Sequence, residues 1–313
     1  MLSDPSYLIL VVGPTAVGKT DLCLKLAKKF QTEILSCDSR QFYREMNRGT
    51  AKPSLQELAE VPHHFINNLS ITDSYDVRKY EEEALDLLSH LFQKHRVVLM
   101  TGGTGLFADA VVHGMDEIPE VAAQIRQEII QEYQSKGLSW LQGAVKMVDP
   151  EFYEQVDQAN PQRLMRALEV WKGTGLKFSG FRTKKKAVRP FEVIKIGLDR
   201  PREELYQRID QRMEAMLAEG LYEEAESLFE KRGLNALQTL GYTEVFDFLE
   251  GKYDQMELVR LLKRNSRRYA KRQLTWFKRD AQICWFHPDE QEKIGSFIEN
   301  QIALNPPKAA TQL

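Results

Sequence analysis

Cysteine is scarce in this sequence, and the little there is builds no framework. Cys23, Cys37 and Cys284 lie far apart, form no CxxC pair and are odd in number, which fits neither a disulfide scaffold nor a zinc site. Long apolar runs are missing: no stretch approaches the ~20 residues that span a bilayer, so no membrane partner is expected. The N-terminus has no basic segment, and Asp4 and Pro5 interrupt it, so a secretory leader is not expected. An excess of one charge is missing too. Lys and Arg number 43 against 45 Asp and Glu, a net charge of −2, so attraction to a polyanion has to come from local clusters. There is no internal repeat. These absences lead to the expectation of a soluble, cytoplasmic protein of a reducing compartment; a monomer is expected, though not from any of these features.

What is present supports a packed core. The 313 residues are 42% hydrophobic and 28% charged, which excludes wholesale disorder. Residues 7–12 form a short continuous apolar run, the pattern of a buried parallel strand. A glycine-rich turn follows, then helical spacing over 20–30 at Leu22, Leu26, Ala27 and Phe30. Strands are expected at 33–37, 96–101 and 191–198. A helix is expected at 77–95, with Ala84, Leu87, Leu88, Leu91 and Phe92 on one face. This rhythm predicts an α/β fold, a P-loop parallel-sheet core covered by helices. Strand signals vanish from 115 to 188, where helices are expected at 120–136 and 161–172, the second with Asn160 as N-cap and Pro161 in its first turn. The chain thus divides into a core of 1–114 and 189–313 and a helical insertion domain of 115–188. Lys184, Lys185 and Lys186, with Pro190, read as an exposed connection. The C-terminal region is expected to be helical at 202–219, 221–232, 243–250 and 255–278, with a frayed tail over 305–313.

The strongest chemical signal is Gly13, Pro14, Thr15, Ala16, Val17, Gly18, Lys19, Thr20. It matches G-x-x-x-x-G-K-[ST] directly after a strand and before a helix. In such a nucleotide-binding (P-loop) turn, backbone N–H groups and the helix N-terminus cradle phosphate oxygens. Lys19 neutralises the outer phosphate, and the Thr20 hydroxyl can ligate Mg2+, the expected cofactor. An ATP-binding loop of this form that hydrolyses ATP is partnered by an aspartate ending a later strand. Here the strand at 96–101 runs into Thr101, Gly102, Gly103 and Thr104, without an acid, so the phosphorylated ligand is expected to be something else. Asp38 is the nearest acid. It follows a strand and emerges at the sheet's carboxyl edge, where a carboxylate can take a proton from an acceptor; the alternative is a turn or N-cap aspartate.

Arg208 and Arg212 share a helix face and either can clamp a diphosphate, but Glu203, Glu204 and Asp210 nearby favour a solvated ion-pair face on sequence alone. Residues 258–279 hold nine Lys or Arg and no acid, with Tyr269, Trp276 and Phe277 between them. Arg260, Arg264, Arg267 and Lys271 are expected on one stripe suited to a phosphate backbone. Arg163 and Arg166 repeat the suggestion in the insertion. His63 and His64 are adjacent, so their side chains diverge and no metal pair is expected.

Six segments in order carry a resemblance: Gly13 to Thr20, Asp38-Ser-Arg-Gln41, Gly49-Thr-Ala-Lys-Pro53, Gly102-Gly-Thr104, Pro161-Gln-Arg-Leu-Met-Arg-Ala-Leu168 and Lys271-Arg-Gln-Leu-Thr-Trp276. Over nearly its whole length the sequence resembles the bacterial tRNA dimethylallyltransferases. That family moves the dimethylallyl group of dimethylallyl diphosphate onto N6 of the adenosine 3′-adjacent to the anticodon, in tRNAs reading codons that begin with U. The resemblance implies that the P-loop holds diphosphate and that Asp38 is the general base. It implies that an arginine of the 208/212 helix, Arg212 by preference, assists the diphosphate. It also implies that Asp38, Ser39, Arg40, Gln41, Thr104, Arg126, Gln162, Arg163, Leu164, Met165 and Arg166 contact the tRNA anticodon stem-loop. Arg40 and Phe42 stand where the family more often has Met and Val, and Phe107 where it has Tyr. No zinc-finger pattern of the eukaryotic relatives is present. The competing readings are a small-molecule kinase, an enzyme prenylating free adenine nucleotide, and a nucleotide-switched RNA-binding protein without catalysis.

Overall fold

The computed structural model describes residues 5–183 and 187–304; the lysine connection at 184–186 and the tail at 305–313 lie outside them. The strands are β1 (Tyr7–Val12), β2 (Ile34–Ser36), β3 (His63–His64), β4 (Val97–Gly102), β5 (Glu192–Leu198) and β6 (Cys284–Phe286). The α-helices are α1 (Lys19–Phe30), α2 (Leu55–Glu60), α3 (Val77–Leu91), α4 (Gly105–His113), α5 (Ala123–Val148), α6 (Pro150–Gln155), α7 (Pro161–Thr174), α8 (Phe178–Phe181), α9 (Arg202–Ala218), α10 (Leu221–Ser227), α11 (Tyr242–Leu249), α12 (Gln255–Phe277) and α13 (Gln291–Leu304). None of them is long and apolar enough to cross a membrane.

Every residue of β1 is buried, and the strand lies inside an all-parallel sheet of order β3-β2-β4-β1-β5-β6. The pleat divides its side chains between two layers. Tyr7, Ile9 and Val11 pack with Leu22, Leu26 and Ala27 of α1 and with Ile294 and Ile298 of α13. Leu8, Leu10 and Val12 pack with Tyr80, Ala84 and Leu88 of α3 and with Ala108 and Val111 of α4. A third cluster joins Met213, Leu221, Leu237, Tyr242, Leu258 and Leu262 beneath the C-terminal helices.

Chain contacts resolve two compact units, one up to Val112 and again from Val188, the other His113–Ala187. The second has its own core of Ile129, Leu141, Val145, Phe152, Leu164 and Leu168. Its buried Asp149 accepts hydrogen bonds from Phe152 N, Ser179 N and Ser179 Oγ at 3.1, 2.7 and 2.8 Å, which offsets the loss of hydration. The helix expected at 120–136 starts at Ala123 and continues to Val148, broken at Gly137 where φ is 76°. The two edge strands β3 and β6 and the helices α2, α4, α6, α8 and α13 have no counterpart in the sequence reading.

Gly13 carries the end of β1 into the loop with φ 151°, and a Cβ there would sit 2.6 Å from the Leu198 carbonyl oxygen. Gly13→Ala is therefore expected to lower unfolding free energy by roughly 2–4 kcal/mol, from backbone strain plus overpacking. Urea denaturation checks it through a lower midpoint at unchanged slope.

Candidate active site

Three strands of the first unit end at one edge of the sheet. β1 runs into the P-loop, β2 into Asp38 and β4 into Gly103, so the loops meet where ligands bind in open α/β sheets. Gly18, in the left-handed region at φ 112°, caps α1. Lys19 Nζ donates to the Gly13 and Pro14 carbonyls at 2.9 and 2.8 Å. Burial pulls its pKa down to about 8, opposed by Asp38 and helped by Arg212.

The loop is held from outside by three arginines. Arg200 Nε donates to Val17 O and Arg208 Nε to Ala16 O, each at 2.9 Å, and Arg212 Nη1 lies 3.4 Å from Thr15 Oγ1. Two of the three acids that suggested a solvated face are engaged elsewhere, Glu204 with Arg200 and Asp210 with Arg267, and Glu203 is exposed. The ion-pair face read from sequence is thus corrected, because the turn of α9 carrying Arg208 and Arg212 faces the P-loop. Burial lowers the pKa of Arg212, against the pull of Asp38 and with the push of Arg208.

Asp38 Oδ1 accepts the Arg40 amide at 3.1 Å, the one hydrogen bond to this carboxylate among the described residues. Ser39 N donates to Thr104 Oγ1 at 3.1 Å, joining the turns after β2 and β4. Gln41 Nε2 donates to the Thr50 and Ala51 carbonyls, and Arg40 Nη1 to those of Asn235 and Ala236. Arg40 and Gln41, expected at tRNA, thus also tie the turn to its neighbours. Phe42 and Phe107, the departures from the family pattern, pack with Tyr80 in an aromatic cluster.

Sequence reasoning missed several members. Gln273, 5% exposed, accepts from Thr15 N at 2.8 Å and donates to Gly103 O at 2.9 Å, bridging the phosphate loop and the turn after β4. Its signal was an amide inside a basic run. A Cβ on Gly103 would sit 2.2 Å from Gln273 Nε2, so glycine makes room for the bridge. Tyr269 also lines the cavity, its phenol pushed well up by burial and by Asp38. Lys52 donates to Tyr43 O, Asn67 Oδ1 and Asn47 Oδ1, and burial lowers its pKa to about 8. These contacts enclose a cavity of about 600 Å³ lined by the P-loop, Asp38, Arg208, Arg212, Tyr269 and Gln273. Ser266 is buried in its wall with a hydroxyl that has no partner among the described residues.

No three His, Cys, Asp or Glu gather as a metal cluster among the described residues. His63 bonds Val61 O and His64 bonds Glu33, so the pair does diverge. Thr20 and Asp38 line the cavity as hard oxygen donors. That sparse set fits magnesium, which takes much of its shell from substrate phosphates and water.

In the second unit, Arg126, Gln162 and Arg166 come together around Glu169. Arg163 is exposed. Leu164 and Met165, placed by the resemblance in the same contact stretch, are corrected to core positions: they are 0% and 3% exposed because α7 turns them inward. The stripe on α12 also shifts. Arg260 pairs with Glu257, Arg267 with Asp210, and Arg264 bonds Asn265. Arg268, Lys271, Arg272 and Arg279 are exposed and have no carboxylate partner among the described residues. The spacing of Arg268, Lys271 and Arg272 puts those three on one face of α12, and Arg279 follows just past the helix end.

A model of the IPP transferase family matches residues 41–280. A tRNA dimethylallyltransferase of Cytophaga hutchinsonii is 50% identical over 296 residues, 95% of this chain and 97% of that protein. A tRNA dimethylallyltransferase 1 of Bacteroides fragilis is 46% identical over 295 residues, 94% of this chain and 98% of its own. The solved tRNA isopentenylpyrophosphate transferase of Bacillus halodurans has a TM-score of 0.71 at 35% identity, covering 95% of this chain and 97% of that one. With the glycine-rich loop at 13–20 beside the Asp38 carboxylate and matches of this breadth, the chain belongs to the IPP transferase family.

Proposed function

We propose that this chain transfers the dimethylallyl group from dimethylallyl diphosphate to N6 of a tRNA adenosine, the one 3′-adjacent to the anticodon in tRNAs reading codons that begin with U, and releases diphosphate. The observation that carries the reading is that Asp38, the P-loop, Arg208 and Arg212 line one cavity. The adenine N6 lone pair is delocalised into the ring, so it attacks only as its proton leaves. Asp38 takes that proton. Charge grows on the diphosphate oxygens as the allylic C–O bond breaks, and Lys19, the loop amides and Arg212 are placed to meet it. Thr20 would hold magnesium, which neutralises further charge on the diphosphate. The base has to leave its stack to reach this pocket, at a cost of a few kcal/mol met by binding to the stem-loop.

In this reading the enzyme works in the cytoplasm as a monomer, and Ser39, Gln41, Thr104, Arg126, Gln162, Arg163 and Arg166 serve the tRNA. Incubation with unmodified tRNA, radiolabelled dimethylallyl diphosphate and magnesium is expected to label the tRNA without ATP. Excess ATP is expected to compete weakly. With γ-labelled ATP in place of the labelled dimethylallyl diphosphate, label entering a small molecule and none of the prenyl group entering tRNA would establish the kinase instead.

The exposed face of α12 gives a further expectation. Lys271→Ala or Arg272→Ala should flatten the salt dependence of stem-loop binding by about one unit of log–log slope each. Arg267→Ala should leave the slope alone, because its guanidinium is held by both Asp210 oxygens at 2.7 Å. Affinity measured across a salt series separates the two faces.

A further inference from the structure

The second unit contains a buried carboxylate that its packing does not require. Glu169 sits on α7, 2% exposed, beside core residues such as Leu168 and Val170. An apolar side chain there would avoid the desolvation of a charge. Two cations reach it from the surface. Arg126 Nη1 lies 3.0 and 3.4 Å from its two oxygens, and Arg166 Nη1 lies 3.4 Å from Oε2. The other ends are fixed as well: Arg126 Nη2 donates to Gln162 Oε1 at 3.3 Å and Arg166 Nη2 to Pro119 O at 3.4 Å. The arginine side chains stay 49% and 36% exposed over that carboxylate.

The group carries one positive charge in excess, two guanidiniums over one carboxylate. One arginine would neutralise Glu169; the second leaves net charge at the surface. A guanidinium has five N–H donors, and these bonds leave at least two free on each. Two planar forks locked at one anion, with donors to spare, form a preorganised receptor for a second anion such as an RNA phosphate.

We infer that Glu169 is a positioning residue for tRNA binding: it holds Arg126 and Arg166 side by side so that they grip one phosphate group of the substrate RNA. The inference rests on the proposed function, which places both arginines at tRNA, and adds a residue that itself touches no RNA. Its consequence has a definite sign. Glu169→Gln removes an anion close to bound phosphate, so simple electrostatics predicts tighter binding. Positioning predicts weaker binding, because the two forks lose their anchor.

The test uses the full chain and an anticodon stem-loop. Dissociation constants and steady-state kinetics are measured for Glu169→Gln, for Arg126→Ala with Arg166→Ala, and for all three changes together. The expected result is about tenfold weaker binding for Glu169→Gln, with the loss in KM for tRNA rather than in kcat. No further loss is expected when the change is added to the double arginine variant. Arg126→Lys, which keeps the charge on an exposed site but loses the fork, is expected to weaken binding nearly as much as Arg126→Ala. Equal or tighter binding by Glu169→Gln overturns the inference. So does an equal loss in the arginine-free background, which would mark a structural role, or wild-type binding by Arg126→Lys. If the double arginine variant binds like wild type, the inference falls with the arginines' role, while label transfer to tRNA still decides the proposed function by itself.

Discussion

Asp38→Asn is expected to slow dimethylallyl transfer at least about a hundredfold while leaving stem-loop affinity within a few-fold. General-base contributions are typically of order 10²–10⁴. The substitution keeps the shape of the side chain and its acceptor for the Arg40 amide, so the turn after β2 has no reason to move. It removes only the capacity to take a proton. The loss is expected in single-turnover assays with both substrates saturating, where binding no longer enters. A near-normal single-turnover rate would take Asp38 out of the chemistry and leave it the turn residue that its spacing also allows.

Lys19→Ala is expected to reduce kcat/KM for dimethylallyl diphosphate by roughly 10²–10³, the usual range for removing one group that stabilises developing charge. tRNA affinity should change little, because Lys19 is bonded inside the loop to Gly13 and Pro14. The wild-type enzyme should show the same dependence through pH. With its pKa drawn down to about 8 by burial, Lys19 loses its charge in the free enzyme as pH rises through that value. The kcat/KM for the diphosphate should then fall about tenfold per pH unit above it. The kcat should fall later, since a bound, multiply charged diphosphate beside the ammonium favours its charged form. On stability the sign reverses. Between about 8 and the ordinary lysine value the unfolded chain holds the proton and the folded one does not, so this group makes unfolding harder as pH rises. A flat kcat/KM profile up to pH 9.5 would show that Lys19 keeps its charge in the free enzyme, and an unchanged kcat/KM in Lys19→Ala would show that it is not the group meeting the phosphate.

What the sequence allowed to be read follows from how local each feature is. β1 declared itself because its six apolar residues face both layers, and the P-loop because its residues are contiguous. β3 and β6 have two and three residues and exist by pairing with β2 and β5, so no local pattern announces them. α13 did carry a signal, Ile294, Phe297, Ile298 and Ile302 at helical spacing, overlooked next to the tail. In the site, Asp38 follows a readable strand. Gln273 acts across 258 positions on Thr15 and 170 on Gly103, a convergence that only the fold creates. Arg208 and Arg212 were readable as a pair, but not the removal of their neighbouring acids to Arg200 and Arg267. Leu164 and Met165 show the reverse case, a stretch whose inward positions serve packing.

The position of β1 in the sheet also sets the order in which the protein can be made. Tyr7 pairs with Val97 on one side and with Glu192 on the other, and the whole second unit is encoded between those partners. At ~5–20 residues per second of synthesis, the second flank of β1 emerges roughly 10–40 s after the strand itself. Through that interval one backbone edge of the chain's most apolar strand has no native partner, and the contacts that satisfy it are long-range ones that form slowly. The strand that carries the phosphate loop is the first made and among the last enclosed, so the nascent chain is most vulnerable to wrong pairing at the segment on which its chemistry depends.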